Sequence, residues 1–325
     1  MRRVVWPVLT GLGVFFIVLA LLSRFFVPGQ AVKFPLNEFS RTTLQATNAS
    51  YFSPKFLTEE TGVTLQTTNT TLGFVPAAKK INGGSRVAVW KLYSAVRDIT
   101  NHTPVSIPGQ PNVFAFDRKT GALVPWRGNS VDGVHVNVTS DEQGPLFPLG
   151  TKKQIYKVFD TTLKKPVTFH YKGITSTGGV ATYVFVANVS AQQTGTQTLP
   201  GSMVGMTASE VTLPEFYSAK DTMYVDPVTG VPLAVNDNVQ QTLQDNTGTT
   251  RLVLLNADFQ TTPGSVAKAV SRDNGGATAI SLLKVTVPIV GGLVGIVLLV
   301  AGLILSRRPE EEEYEDDELT VGAPV

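Results

Sequence analysis

The hydrophobic positions fall into two solid blocks near the ends of the chain, with a long alternating stretch between them. The first block, Val4 to Leu22, carries no charge, follows Met1-Arg2-Arg3 and is closed by Arg24. About 20 apolar residues suffice for a helix to cross the hydrocarbon core of a bilayer. The second block, Val285 to Leu305, is 21 residues without a charge, set between Lys284 and Arg307-Arg308. Both are expected to be transmembrane helices, over 4–23 and 285–305. A basic start before an apolar run also serves as a secretory signal, and Gly29-Gln30-Ala31 has the small residues of a cleavage site. The length of the run, and Arg24 lying before that site, favour a retained helix. Arg2, Arg3, Arg307 and Arg308 lie on the cytoplasmic side by the positive-inside rule. Residues 1–3 and 306–325 are then cytoplasmic, and 28–279 form an extracytoplasmic domain of a two-pass cell-membrane protein.

Within 28–279, apolar and polar residues alternate in short runs bounded by turn residues, which is the signature of antiparallel strands. Strands are predicted at Ser85–Tyr93, Val134–Val138, Gln154–Phe159, Val167–Tyr171, Ala181–Val189 and Leu252–Phe259. Thr175 to Gly179 reads as a hairpin. The fold class is therefore mainly β (α+β): antiparallel sheets, curved or barrel-like, flanked by two transmembrane α-helices. A short helix is expected at Ser53–Thr61, and Thr207–Tyr217 is ambiguous. Thr262 to Ala277, rich in Gly, Ser and Ala, reads as a stalk to the second helix.

One local pattern recurs. Asp117-Arg-Lys-Thr-Gly121 and Asp226-Pro227-Val-Thr-Gly230 each follow a strand and precede an apolar residue, 109 positions apart. The Asp accepts from backbone N–H groups two residues on, Pro227 presets φ, and Gly takes the left-handed corner. The copies mark either a duplicated sheet half or two separate uses of one turn, and the second reading is favoured. In the second helix, Gly291 and Gly295 form a Gly-x-x-x-Gly pair that lets helix backbones approach closely in lipid. Thr10, Gly11 and Gly13 offer a matching face on the first.

Composition narrows the chemistry. The chain has no cysteine, so disulfides, thiolate metal sites and Cys nucleophiles are excluded. This favours a bacterial envelope protein over an animal one. Residues 310–318 hold eight acids in nine positions, a run expected to be disordered. With the eight tail acids and four terminal arginines set aside, 23 basic and 17 acidic residues remain, about +6, a mild bias toward anionic lipid headgroups or phosphorylated glycans. His102, His135 and His170 are too far apart in sequence to read as a metal pair. Gly128-Asn129-Ser130-Val131-Asp132 lacks the last glycine of a nucleophile elbow. Asp132, Asp141 and Glu142 are read as a solvated loop. The Asn-x-Ser/Thr triplets at Asn48, Asn69, Asn101, Asn137 and Asn188 are not read as modified. No catalytic residue, metal, cofactor or nucleic-acid partner is expected, and the protein is not expected to be an enzyme.

The run Gly144-Pro-Leu-Phe-Pro-Leu-Gly-Thr-Lys-Lys-Gln-Ile-Tyr-Lys-Val-Phe-Asp160, with Thr182-Tyr-Val-Phe185 and Tyr224-Val-Asp-Pro-Val-Thr-Gly-Val-Pro232, resembles the actinobacterial porin PorA family, over nearly the whole chain. That resemblance implies a role in envelope biogenesis, including the handling of lipids or lipoglycans, and brings no catalytic residues. The two-helix layout is also similar to that of the scavenger receptor class B family, whose outer domains carry lipid through a tunnel. The leading expectation is a lipid- or lipoglycan-binding module lined by Phe114, Phe116, Phe159, Tyr183, Phe185 and Tyr224, acting in envelope biogenesis or lipid trafficking. Its expected partners are the bilayer, an envelope lipid or lipoglycan, and a protein of the transport or envelope machinery. The alternatives are a scaffold of an envelope complex and, third, an enzyme acting on envelope glycans.

Overall fold

A computed structural model describes residues 2–26, 32–81, 84–106 and 109–307. The acidic tail and Gly29-Gln30-Ala31 lie outside the described residues. The chain forms two compact units, a helical one (Met1–Ala31 with Ser281–Val325) and a β unit (Val32–Ile280).

In the helical unit, α1 (Arg2–Phe25) packs along α4 (Val287–Arg307). Both are long and apolar enough to cross a membrane. Small residues set the contact. A Cβ on Gly13 would lie 2.6 Å from Leu299 N, one on Gly295 2.8 Å from Gly13 O, and one on Gly302 2.4 Å from Thr10 Oγ1. Gly291 sits one turn before Gly295, where a Cβ would meet Ala20 at an ordinary 3.5 Å.

A π-helical turn, Leu282–Thr286, leads into α4, and Pro288 accounts for it. Proline has no N–H, and its ring clashes with the carbonyl four residues back, here Lys284. The freed carbonyl takes the Arg24 guanidinium instead, and Leu283 O accepts from Ser23 Oγ at 3.3 Å. Such replacement bonds satisfy carbonyls at the edge of the apolar run that the helix itself leaves free.

The β unit runs β1 (Phe39–Ser53), β2 (Thr58–Gly73), α2 (Val75–Lys80), β3 (Val87–Asp98), β4 (Thr103–Ser106), β5 (Asn112–Asp117), β6 (Ser130–Val131), β7 (Val134–His135), β8 (Glu142–Gln143), β9 (Tyr156–Asp160), β10 (Lys165–Thr177), β11 (Val180–Leu199), β12 (Val211–Val225), β13 (Pro232–Gln244), β14 (Thr250–Thr261) and α3 (Pro263–Ser281). The strands make one 14-stranded sheet in the order β7-β6-β5-β3-β2-β1-β14-β13-β12-β11-β10-β9-β8, with β4 beside β3. It is two antiparallel meanders joined where β1 meets β14. Among the described residues only β8 and β9 pair in parallel. The ladder does not close, so the architecture is a curved sheet. Its two end regions nevertheless share a core: Phe114 of β5 packs edge-on against Phe159 of β9 at 5.4 Å. Isolated bridges Phe116↔Leu123 and Ala122↔Gln143 span part of the gap.

Because β1 and β14 are antiparallel, with Leu44 opposite Thr261, the chain enters at Phe39 and leaves after Thr261 at one end of this central pair. The same end carries both Asp-x-x-Thr-Gly turns, and their geometry is shared. Asp117 N bonds Ala122 O (2.8 Å) and Gly121 N bonds Asp117 O (2.9 Å). Asp226 N bonds Val231 O (3.0 Å) and Gly230 N bonds Asp226 O (2.8 Å). Both turns then grip one segment, 144–150. The carbonyls two and four residues after each Asp accept from the backbone of that segment: Lys119 O from Leu149 N, Gly121 O from Gly144 N, Val228 O from Gly150 N, Gly230 O from Phe147 N. At Gly230, φ is 73° and a Cβ would fall 2.3 Å from Phe147 O, so glycine is required twice over. The two turns do a matched job on one strap rather than serving unrelated hairpins.

Three local expectations are corrected. Ser53–Thr61 is no helix: β1 and β2 run into a tight turn closed by Leu57 N to Ser53 O at 2.8 Å, with Leu57 at φ 53°. The predicted strand Val134–Val138 survives only as the two residues of β7, although Val136 and Val138 are buried core. Thr262–Ala277 is no loose stalk. Thr262 caps α3, its hydroxyl accepting from Ser265 N, and Pro263 holds the first helical position. The helix docks on the sheet through Ser265 Oγ, which accepts from Thr43 N at 2.9 Å, and through buried Val270, 2.9 Å from where a Cβ on Gly178 would lie.

Candidate functional site

The aromatic positions expected to line a lipid cavity occupy three different settings. Phe114, Phe116 and Phe159 are buried together with Trp90, which meets Phe116 at 4.8 Å. Phe185 is fully buried against Phe147 and Tyr156, with half-buried Tyr183 beside it. Tyr224 faces the opposite side of the sheet from Tyr183, since Tyr183 pairs with Val225 and Val184 with Tyr224. There its hydroxyl accepts from Asn236 Nδ2 at 3.4 Å. Phe114, Phe116 and Phe159 thus belong to one packed cluster and Tyr183 and Phe185 to another, and Tyr224 lies apart from both. Asp117, Gly121, Asp226, Pro227 and Gly230 build the turns described above.

Space is found elsewhere on the core side of the sheet, as a polar pocket of about 380 Å³. Three structures build it. The sheet supplies Thr194, Glu215 and Gln241, with Thr194 the unpaired residue of a bulge in β11. The β9–β10 turn supplies Thr161, Thr162 and Lys164. Asp160 Oδ1 fixes this turn by accepting from Thr162 N (2.7 Å) and Leu163 N (2.8 Å), and Lys164 closes it at φ 54°. The third wall is Asn112, Val131 and Asp132. Asp132 and Gly133, at φ 51° and 79°, make the two-residue hairpin between β6 and β7, and Asn112 Oδ1 accepts from Asp132 N at 3.0 Å. Eight of the nine lining residues are hydroxyl, amide or charged. Such a set offers donors and acceptors to many hydroxyls and little surface to an acyl chain.

Beneath the pocket lies a buried acidic row. Glu215, Tyr217, Ala219 and Asp221 share the core-facing side of β12, opposite Leu243, Gln241, Val239 and Asp237 of β13. Tyr217, across from the pocket residue Gln241, donates its hydroxyl to Asp160 Oδ2 at 3.4 Å. Asp221 and Asp237 face each other directly, and each buries an Oδ1 with no hydrogen-bond partner. Burial first, and then Asp237, push the Asp221 carboxyl up to about 9. Asp237 is raised as well, chiefly by burial. Asp160 is raised by burial, against the turn amides that pull it down. Two carboxyls this close hold one proton between them rather than two charges.

The other acids serve structure. Asp141 pairs with Lys157 at 2.7 Å, and Glu142 is buried, accepting from Thr139 Oγ1 at 2.8 Å. They do not join Asp132. Asn129 pins β5, its Oδ1 accepting from Ala115 N and its Nδ2 donating to Val124 O, each at 2.9 Å. Among the described residues no group of three or more His, Cys, Asp or Glu is arranged to hold a metal.

Sequence reasoning missed the pocket because its residues come from six separate segments. The acidic row did leave a signal. Tyr217-x-Ala-x-Asp-x-Met-x-Val225 and Val235-x-Asp-x-Val239 place an Asp in the apolar phase of a strand.

A sequence model of the Porin PorA family matches residues 7–304. No curated protein matches the chain. A porin barrel carries an outward apolar band. Here the outward positions of the central strands are exposed polar residues, among them Lys220, Asn238, Gln240, Asn256 and Asp258, and the membrane-length apolar segments are helices. With nine-tenths of its length matched and two helices fit to cross a bilayer, this chain is a membrane protein that belongs to the Porin PorA family.

Proposed function

We propose that this is a membrane-anchored envelope protein that holds its β unit outside the cytoplasm and binds the hydroxyl-rich head of an envelope glycolipid or lipoglycan without transforming it. The polar lining of the pocket carries this reading. Each well-placed hydroxyl, amide or carboxylate contributes about 1 kcal/mol of net hydrogen bonding, so several convergent groups give useful affinity. Asp132 and Glu215 against Lys164 leave the lining with one more negative than positive charge, which favours neutral polyol over phosphate.

The test is titration of the full chain in lipid nanodiscs with a water-soluble glycolipid headgroup. Glu215→Leu and Gln241→Leu, both on the pocket floor, are expected to weaken binding about tenfold each, and Ile174→Ala on a distant exposed site to leave it unchanged. Saturable binding that both pocket variants retain in full would refute the assignment.

A scaffolding role draws on one observation. Phe56 and Leu57 stand 51% and 63% exposed at the tip of the β1–β2 hairpin, at the end of the strands away from where the chain enters and leaves. Retained headgroup binding by Phe56→Ser/Leu57→Ser separates the two roles.

A further inference from the structure

The two Asp-x-x-Thr-Gly turns are alike in backbone and opposite in what their Asp meets. Asp117 has an arginine: Arg86 Nε reaches its Oδ2 at 2.8 Å. Asp226 has another acid. Asp273, projecting from α3, is set against the Asp226 carboxyl and the Thr229 hydroxyl. All three are deeply buried, with 6%, 3% and 5% of their surface exposed, and Asp273 Oδ2 has no hydrogen-bond partner.

We propose that Asp273, set against Asp226, forms a pH-sensitive latch that holds α3 on the second turn and lets it go when Asp273 loses its proton. The contact is close on both sides. A Cβ on Gly276, one turn further along α3, would lie 3.8 Å from Thr229 Cγ2. Asp226 is itself committed to its turn, Oδ1 accepting from Val228 N at 2.6 Å, so the proton-bearing partner is Asp273. Among the described residues the charged neighbour of Asp273 is Asp226, and no cation pairs with it. From the approach to β1 comes Glu38, which is taken up by Arg272 of α3 at 3.4 Å. The β10–β11 hairpin meets the helix through Gly178, and β1 through the Thr43 amide; neither brings charge. Burial first, and then the neighbouring Asp226, push Asp273 up to about 7. Below that pH the protonated acid donates to its neighbour. Above it, two buried carboxylates face one another, and the arrangement is opposed by both repulsion and desolvation. Because α3 leads into the π-turn and α4, its release frees the segment that joins the β unit to the second membrane-length helix.

Amide hydrogen exchange of the full chain in nanodiscs tests this, with intrinsic exchange rates divided out. Protection of α3 is expected to fall about tenfold between pH 6 and 8, most of it below pH 7, following the loss of protonated Asp273, while β13 and β14 stay protected. Asp273→Asn keeps a donor and removes the charge, and its α3 protection is expected to be flat with pH. Asp273→Ser does the same with a smaller side chain, should the amide not be accommodated. Wild-type protection that does not change from pH 6 to 8, or a fall that persists in the variants, would overturn the latch.

Discussion

At the residue scale, the informative positions are those where a side chain sits against its own preference. Asp221 is the clearest. Its folded pKa is about 9 against an ordinary 3.8, so the folded chain binds a proton that the unfolded chain has already lost. Its stabilising contribution is therefore complete below the ordinary value and disappears as pH rises toward 9. Asp221→Asn keeps the shape and removes the titration. We expect it to raise the midpoint of thermal unfolding by about 2–4 °C at pH 8 and by less at pH 5, in parallel pH series of wild type and variant. Gly230 is constrained differently. Gly230→Ala combines a disfavoured φ with a 2.3 Å approach to Phe147 O and should cost about 2–4 kcal/mol of stability, read as a lowered thermal midpoint. These positions are partly legible in sequence. The turn glycines were, because Asp-x-x-Thr-Gly between strands has a single comfortable geometry. The acidic pair was visible as a phase violation, but its burial depends on which strands lie opposite, and local pattern does not carry that.

At the scale of elements, Pro288, the π-turn and Arg24 form one unit. Arg24→Leu leaves the Lys284 carbonyl without its donor at the end of the apolar span, a loss of about 1 kcal/mol. Pro288→Ala restores an N–H four residues on, so the double variant should be less destabilised than the sum of the singles. A double-mutant cycle on thermal midpoints in detergent measures this, and strict additivity would contradict the coupling. Gly302→Leu should separate α1 from α4, because even its Cβ would fall 2.4 Å from Thr10 Oγ1; crosslinking between cysteines placed on the two helices in this cysteine-free chain reports it. The helices were legible because an uncharged apolar run of about 20 residues matches the thickness of a bilayer core and is longer than a helix of a soluble domain needs. The docking of α3 was not. Its Gly, Ser, Asn and Thr content weakens helix propensity despite its alanines, and tertiary contacts through Ser265, Val270 and Asp273 decide its structure.

At the scale of the molecule, alternation along the strands predicted a mainly β unit between two helices, and the structure is a curved open sheet of two meanders. Strand order, and the pocket that depends on it, come from long-range pairing that single segments do not encode. Entry and exit at one end of the β1–β14 pair suit a domain tethered through both of its ends. We propose that the polar pocket of this tethered unit holds a hydroxyl-rich lipid head. Native mass spectrometry of the full chain, extracted from its own membrane in native nanodiscs, tests that most directly. One hydroxyl-rich glycolipid or lipoglycan per chain in the wild type, lost from Glu215→Leu and Gln241→Leu, is the predicted result. A wild-type chain that carries none, even after incubation with a total envelope lipid extract, would contradict it.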